Sequence, residues 1–153
     1  MGNYNFNKDL PIAKETERKV AALLEQMGFT VLDDNDTNAY DIRVLYDTDE
    51  LKIEVKEDFK CQETGNVAVE TFCRGKPSGL SVTQAQIYAY VIHKGDGITL
   101  ALTHVDDIKD AIANNNYRGR VDDCGDAGSG TVNYLFRLEK FLAMSLMQME
   151  MGA

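Results

Sequence analysis

Two short runs between Tyr40 and Lys56 alternate with a period of two, and that pattern constrains the fold more than any other stretch of the chain. In the first, Tyr40-Asp41-Ile42-Arg43-Val44, Ile42 and Val44 share a face. In the second, Leu51, Ile53 and Val55 alternate with Lys52, Glu54 and Lys56. Alternation of this kind is the signature of half-buried strands, since successive side chains point to opposite sides. The charged, turn-prone run from Tyr46 to Glu50 between them predicts a hairpin. Glu54 and Lys56 then share one face, and Asp41 lies across the hairpin from the end of the second strand, close to Glu54. Two carboxylates brought together repel and raise a pKa unless a cation lies between them. A hard divalent ion with oxygen ligands removes that penalty, and Lys56 adds a point charge beside it.

Metal and ammonium beside an acidic pair suit phosphodiester hydrolysis. The spacing Asp41, a gap, then Glu54-Val55-Lys56 resembles the PD-(D/E)xK nuclease superfamily, with Tyr40 where a proline is usual. Upstream, Ile12, Val20, Leu23, Leu24 and Met27 fall at three- and four-residue steps, predicting a helix from Pro11 to Gly28. Glu17-Arg18, the apolar stripe and Gly28-Phe29-Thr30-Val31 look like the opening of the archaeal Holliday-junction-resolvase branch. That likeness implies Glu17 as an extra acid at the site, with Glu15 the fallback if the register slips. Gln84 and Tyr88, or alternatively Gln86 and Tyr90, resemble the helical glutamine and tyrosine that border the site in RecB-like nucleases.

The resemblance implies an α/β (α+β) fold, a single restriction-endonuclease-like domain over residues 1–153 with a mixed central sheet flanked by helices. Its α-β-β-β-α-β core would cover about 12–103, with a C-terminal helical extension over about 105–151. It further implies one or two Mg²⁺ (or Mn²⁺) ions on Asp41, Glu54, the Val55 carbonyl and Glu17, with Lys56 as the catalytic cation. The activity implied is endonucleolytic cleavage of DNA leaving a 5′-phosphate.

The remaining segments supply accessory expectations. Asn66 to Phe72 alternates like a strand, with Glu70 opposite Val67 and Val69, near metal or substrate. Arg74-Gly75-Lys76-Pro77-Ser78-Gly79 is a basic loop suited to clamping phosphate. Ser81 and Thr83 can cap a short helix carrying Gln84 and Tyr88. Strands follow on either side of a Lys94–Gly97 turn, then a helix from Val105 to Ile112, then an Asn-, Asp- and Gly-rich loop from Asn114 to Gly130 with Arg118 and Arg120. Tyr134 to Met151 reads as a helix whose methionines suit a homodimer contact. Residues 1–10 read as a loosely held arm.

Charge argues against this reading. A net charge of −9 over 153 residues opposes phosphate binding, which depends on Lys and Arg. Concentration of Lys52, Lys56, Lys60, Arg74 and Lys76 at one site would leave weak, salt-sensitive binding to DNA, or binding aided by a partner. The rival is a catalytically inactive protein of the same fold acting as a binding or regulatory partner, such as a phage or mobile-element regulator. No apolar run approaches the roughly 20 residues of a membrane span, and the N-terminus lacks a signal-peptide pattern. Cys61, Cys73 and Cys124 are odd in number and lack metal-ligand spacing, and His93 and His104 have no evident partner. A cytoplasmic protein is expected.

Overall fold

The computed structural model describes residues 6–33, 40–123 and 128–152, side chains of 6–12 and of Asp33 excepted. In chain order the elements are α1 (Phe6–Gln26), β1 (Thr30–Asp33), β2 (Ile42–Tyr46), β3 (Asp49–Asp58), α2 (Cys61–Thr64), β4 (Asn66–Cys73) and β5 (Lys76–Pro77). They continue with β6 (Ile87–Lys94), β7 (Gly97–His104), α3 (Val105–Ala113), β8 (Gly119–Val121), β9 (Val132–Arg137), α4 (Leu138–Met144) and β10 (Met147–Met151). A six-stranded mixed sheet runs β1-β2-β3-β6-β7-β10, and a four-stranded sheet runs β5-β4-β9-β8. The fold is therefore mixed α and β, with a mixed central sheet flanked by helices.

The hairpin forms as its alternation predicts. Ile42 pairs with Ile53, Val44 with Leu51 and Tyr46 with Asp49, closing on the two-residue turn Asp47-Thr48. Asp47 takes the left-handed conformation, φ 54°, that tight hairpin turns use at their first position and that Asp tolerates. Gly28, at φ 99°, ends the turn after α1. On one face of the central sheet, Val20 and Leu24 of α1 pack with Ile42, Val44, Ile53, Ile87, Ala89 and Val91. On the other, Tyr88, Tyr90 and Ile92 pack with Val67 and Val69 of β4, Ile108 of α3, Phe136 of β9 and Phe141 of α4. Each of the larger side chains contributes about 1.5–3 kcal/mol by leaving water.

Several expectations are corrected. α1 begins at Phe6, so the expected arm is helical from there. Gln84 and Tyr88 share no helix: Ile87 to Lys94 is β6, parallel to β3 and antiparallel to β7. Its first six residues are buried on both faces, which favours a continuous apolar strand over an amphipathic helix. The crossover from β3 to β6 is built instead from α2, β4, β5 and a 3₁₀ turn at Gly79–Ser81. The 114–130 loop contains β8, paired to β9.

The C-terminal run is strand, helix, strand rather than one helix. β9 pairs with β4, and β10 pairs with β7, so the segment completes both sheets rather than extending beyond them. Met147 and Met151 pack on the α1-side cluster and Met144 on the other. The methionine-rich helix expected to form a homodimer is therefore absent, and these methionines serve the chain's own core. Among the described residues no helix is long and apolar enough to cross a membrane. The acidic run Asp34–Asp36 and Cys124 lie outside the described residues.

Candidate active site

β2 starts at Ile42, opposite Ile53, so β3 runs on past the end of its neighbour. Asp41 stands at that end. Its backbone N–H donates to the Ile53 carbonyl at 3.0 Å, and its Oδ2 accepts from the Val55 N–H at 2.7 Å. The carboxylate is thus docked on the backbone of the Glu54-Val55-Lys56 run. In an extended strand the N–H and C=O of one residue leave on the same side, so the Val55 carbonyl faces the side on which Asp41 sits.

Glu54 and Lys56 project from the opposite face to α1, toward the four-stranded sheet. The Lys56 Nζ lies 3.3 Å from Glu54 Oε2 and 5.8 Å from the centre of the Tyr88 ring, so the ammonium is held by a carboxylate and an aromatic face together. Glu54 Oε2 is inaccessible to water and takes no backbone donor, and the Tyr88 hydroxyl, close enough to Glu54 and Thr83 to feel both, is buried beside it. Burial first, and then the Glu54 charge, push the Tyr88 phenol well above its ordinary range. It therefore stays neutral and adds no negative charge to the site.

The remaining predicted residues have other contacts in the fold. Glu17 ion-pairs Lys14 at 3.8 Å; its neighbour Thr16 bonds Glu57, on the α1 face of β3. Among the described residues no three His, Cys, Asp or Glu side chains stand close enough to hold a metal ion together. Glu17 is therefore not gathered with Asp41 and Glu54. Glu15 faces solvent and pairs with Lys19. Glu70 is exposed, accepts from Ser78 Oγ at 2.9 Å, and lines a cleft with Lys56 and Tyr88. Arg74 and Lys76 are exposed at the β4–β5 turn and do not line that cleft. Gln84 is exposed in a loop. Gln86, the alternative, ties strands together: its Oε1 accepts from the Lys52 N–H at 2.7 Å, and its own N–H donates to the Lys52 carbonyl.

Two further clusters on the same strand escape sequence reading. Asp58 accepts from the backbone N–H groups of Lys60 and Cys61 through Oδ1 and of Ala68 through Oδ2, tying α2 and β4 to the end of β3. Glu57 bridges Thr16 at 2.9 Å and His93 Nε2 at 2.7 Å, and Phe59 stacks on the His93 ring at 4.3 Å. Only the parity of positions 57, 59 and 93 signals the second cluster, because the contact joins β3 to a parallel neighbour distant in sequence.

No protein-family model matches the chain, and no curated protein does. Among solved structures it is similar to a bacterial homing endonuclease, I-Ssp6803I, at 21% identity and a TM-score of 0.43. The match covers 59% of this chain and 64% of that one, under two thirds of the endonuclease's own length. A likeness this loose fixes neither family nor activity.

Proposed function

We propose that the chain is a Mg²⁺- or Mn²⁺-dependent endonuclease acting on DNA phosphodiesters, with a PD-(D/E)xK arrangement of Asp41, Glu54 and Lys56. The observation that carries this reading is the docking of the Asp41 carboxylate on the Val55 amide, within the Glu54–Lys56 run. The residues fit a divalent ion. Glu54 Oε2 is a buried carboxylate oxygen with the Lys56 ammonium at 3.3 Å and no backbone donor upon it, so its charge is held in place and lone pairs remain for a hard ion. Asp41, Glu54 and the Val55 carbonyl are hard oxygen donors, and Mg²⁺ needs only one or two carboxylates when substrate phosphate and water complete its shell. Glu17 stands outside that set.

When bound, such an ion offsets the charge that grows on the phosphoryl oxygens during hydrolysis. The chain's own residues supply the rest. The bond from the Val55 N–H fixes the Asp41 carboxylate to the strand itself, an anchor that cannot swing away as a side chain could. Glu54 and the Tyr88 ring hold the Lys56 ammonium in place, where it binds a non-bridging phosphate oxygen or orients the attacking water. Tyr88 stays protonated, so it stands beside Glu54 as a neutral group rather than repelling it.

Cleavage of duplex, flap and single-stranded DNA with Mg²⁺, with Mn²⁺ and with EDTA tests this. Wild type should cut at least one form only with metal, and Lys56→Ala should cut it about 10²–10³-fold more slowly. Failure of the wild type to cut any form with either ion would overturn the proposal. The second reading, an inactive nuclease-like binding partner, is favoured by the net charge of −9. It predicts binding without cleavage.

A further inference from the structure

Beside Lys56 a cleft of about 410 Å³ opens between β3, β6 and the four-stranded sheet. Its size falls among small-molecule sites, about 300–1,000 Å³. Its walls carry three carboxylates, Glu57, Asp58 and Glu70, and each already has partners inside the chain. The groups that can meet a ligand are the Asn133 side chain, the ring of Phe59, and the cations Lys60 and Lys56, the latter paired with Glu54 from one side.

Phe59 is the unusual member. It is 51% exposed, a costly place for a large apolar ring, yet it is held in place rather than left loose. His93 stacks against it at 4.3 Å with rings 22° apart. His93 is fixed by Glu57, and Glu57 by Thr16 of α1. An exposed ring propped from behind by a hydrogen-bonded chain is a stacking platform, and it stands just past the end of β3, lining the same cleft as Lys56.

We propose that this cleft receives an unpaired nucleotide, its base stacked on Phe59 and its flanking phosphates near Lys56 and Lys60, so that the substrate is single-stranded or flapped nucleic acid. The assignment rests on the nuclease reading for the chemistry at Lys56, but not for the stacking. Aromatic platforms take any base, because every base offers a π face. A continuous duplex keeps its bases stacked on one another and offers Phe59 none. The engaged carboxylates repel a phosphate chain driven deep into the cleft and tolerate a neutral base, which accounts for an acidic wall beside a phosphate-handling lysine.

The test is binding of a short thymidine oligonucleotide carrying one 2-aminopurine, in EDTA, read by quenching of its fluorescence, with the annealed duplex as control. Wild type and Phe59→Trp should bind and quench the single strand and prefer it to duplex. Phe59→Ala, whose fold is checked by circular dichroism, should bind about 5–100-fold more weakly with the quench lost. Equal binding by Phe59→Ala, preference for duplex, or no binding would each overturn the assignment. Mg²⁺-dependent cleavage measured in parallel separates the two readings. Cleavage with Phe59 irrelevant removes the platform and keeps the nuclease; stacking without cleavage keeps the platform and removes the nuclease.

Discussion

Glu54 and Asp58 sit four residues apart on the same face of the same strand, yet the chain treats their carboxylates oppositely. Asp58, 9% exposed, has both oxygens taken by backbone N–H groups, from Lys60, Cys61 and Ala68. Those bonds offset the cost of burial and anchor α2 and β4 to β3. Glu54 is given no such donors at Oε2, which lies buried beside the Lys56 ammonium and the Tyr88 hydroxyl. Asp58 spends three of its lone-pair sites on the backbone, whereas Glu54 keeps its oxygens clear of backbone donors. Glu57 is engaged in the same way as Asp58, by Thr16 and His93.

Substitutions should divide along that line. The largest effect expected is on chemistry: Lys56→Ala should lower the rate of Mg²⁺-dependent cleavage by about 10²–10³-fold, with a melting temperature close to wild type. A large fall in melting temperature for this variant would place Lys56 with the structural groups instead. Asp58→Ala should do the reverse. Each backbone donor left buried without an acceptor costs about 1–3 kcal/mol, or about 2–4 °C of Tm per kcal/mol in a chain of this size. Folded Asp58→Ala should still cut, and differential scanning calorimetry with a cleavage assay on the same preparation reads both. The smallest effect belongs to Tyr88→Phe, which removes a single hydroxyl and should change stability by less than about 1 kcal/mol at neutral pH.

Tyr88 also carries a pH signature. Its phenol is raised above its ordinary value by burial and by Glu54, so the unfolded chain loses this proton at lower pH than the folded one. The stability it confers is complete below the ordinary tyrosine range and falls as pH climbs above it. Tyr88→Phe should flatten the alkaline limb of a Tm-against-pH curve. An unchanged limb would mean that other groups, such as the buried Tyr90, whose phenol is raised in the same direction, set it alone.

The hairpin is legible in the sequence because an alternation of period two leaves a strand little freedom of register, and the pairing of Ile42 with Ile53 follows from it. Gly28 marks the end of α1 for a similarly local reason. Legibility fails where apolar residues crowd together. Ile87 to Ile92 and Tyr134 to Met151 lack clean alternation because both faces, or successive elements, bury apolar groups, and there periodicity no longer separates helix from strand. At the site, the proximity of Asp41 to the Glu54–Lys56 run is readable from the hairpin. The roles of Asp58, His93 and Phe59 are not, since each depends on a crossover that brings β4 and β6 against β3. Glu17 enters by likeness alone, and its ion pair in the fold is with Lys14.

The central claim is that Asp41 and Glu54 hold a divalent ion. Thermal melting of wild type and of the double variant Asp41→Asn with Glu54→Gln, each with and without Mg²⁺ or Mn²⁺, tests it most directly. Metal at about 100 times its dissociation constant should stabilise the wild type by about 2.7 kcal/mol and leave the double variant unmoved. A wild type that melts identically with and without either ion, or a double variant that gains as much as wild type, would contradict the claim.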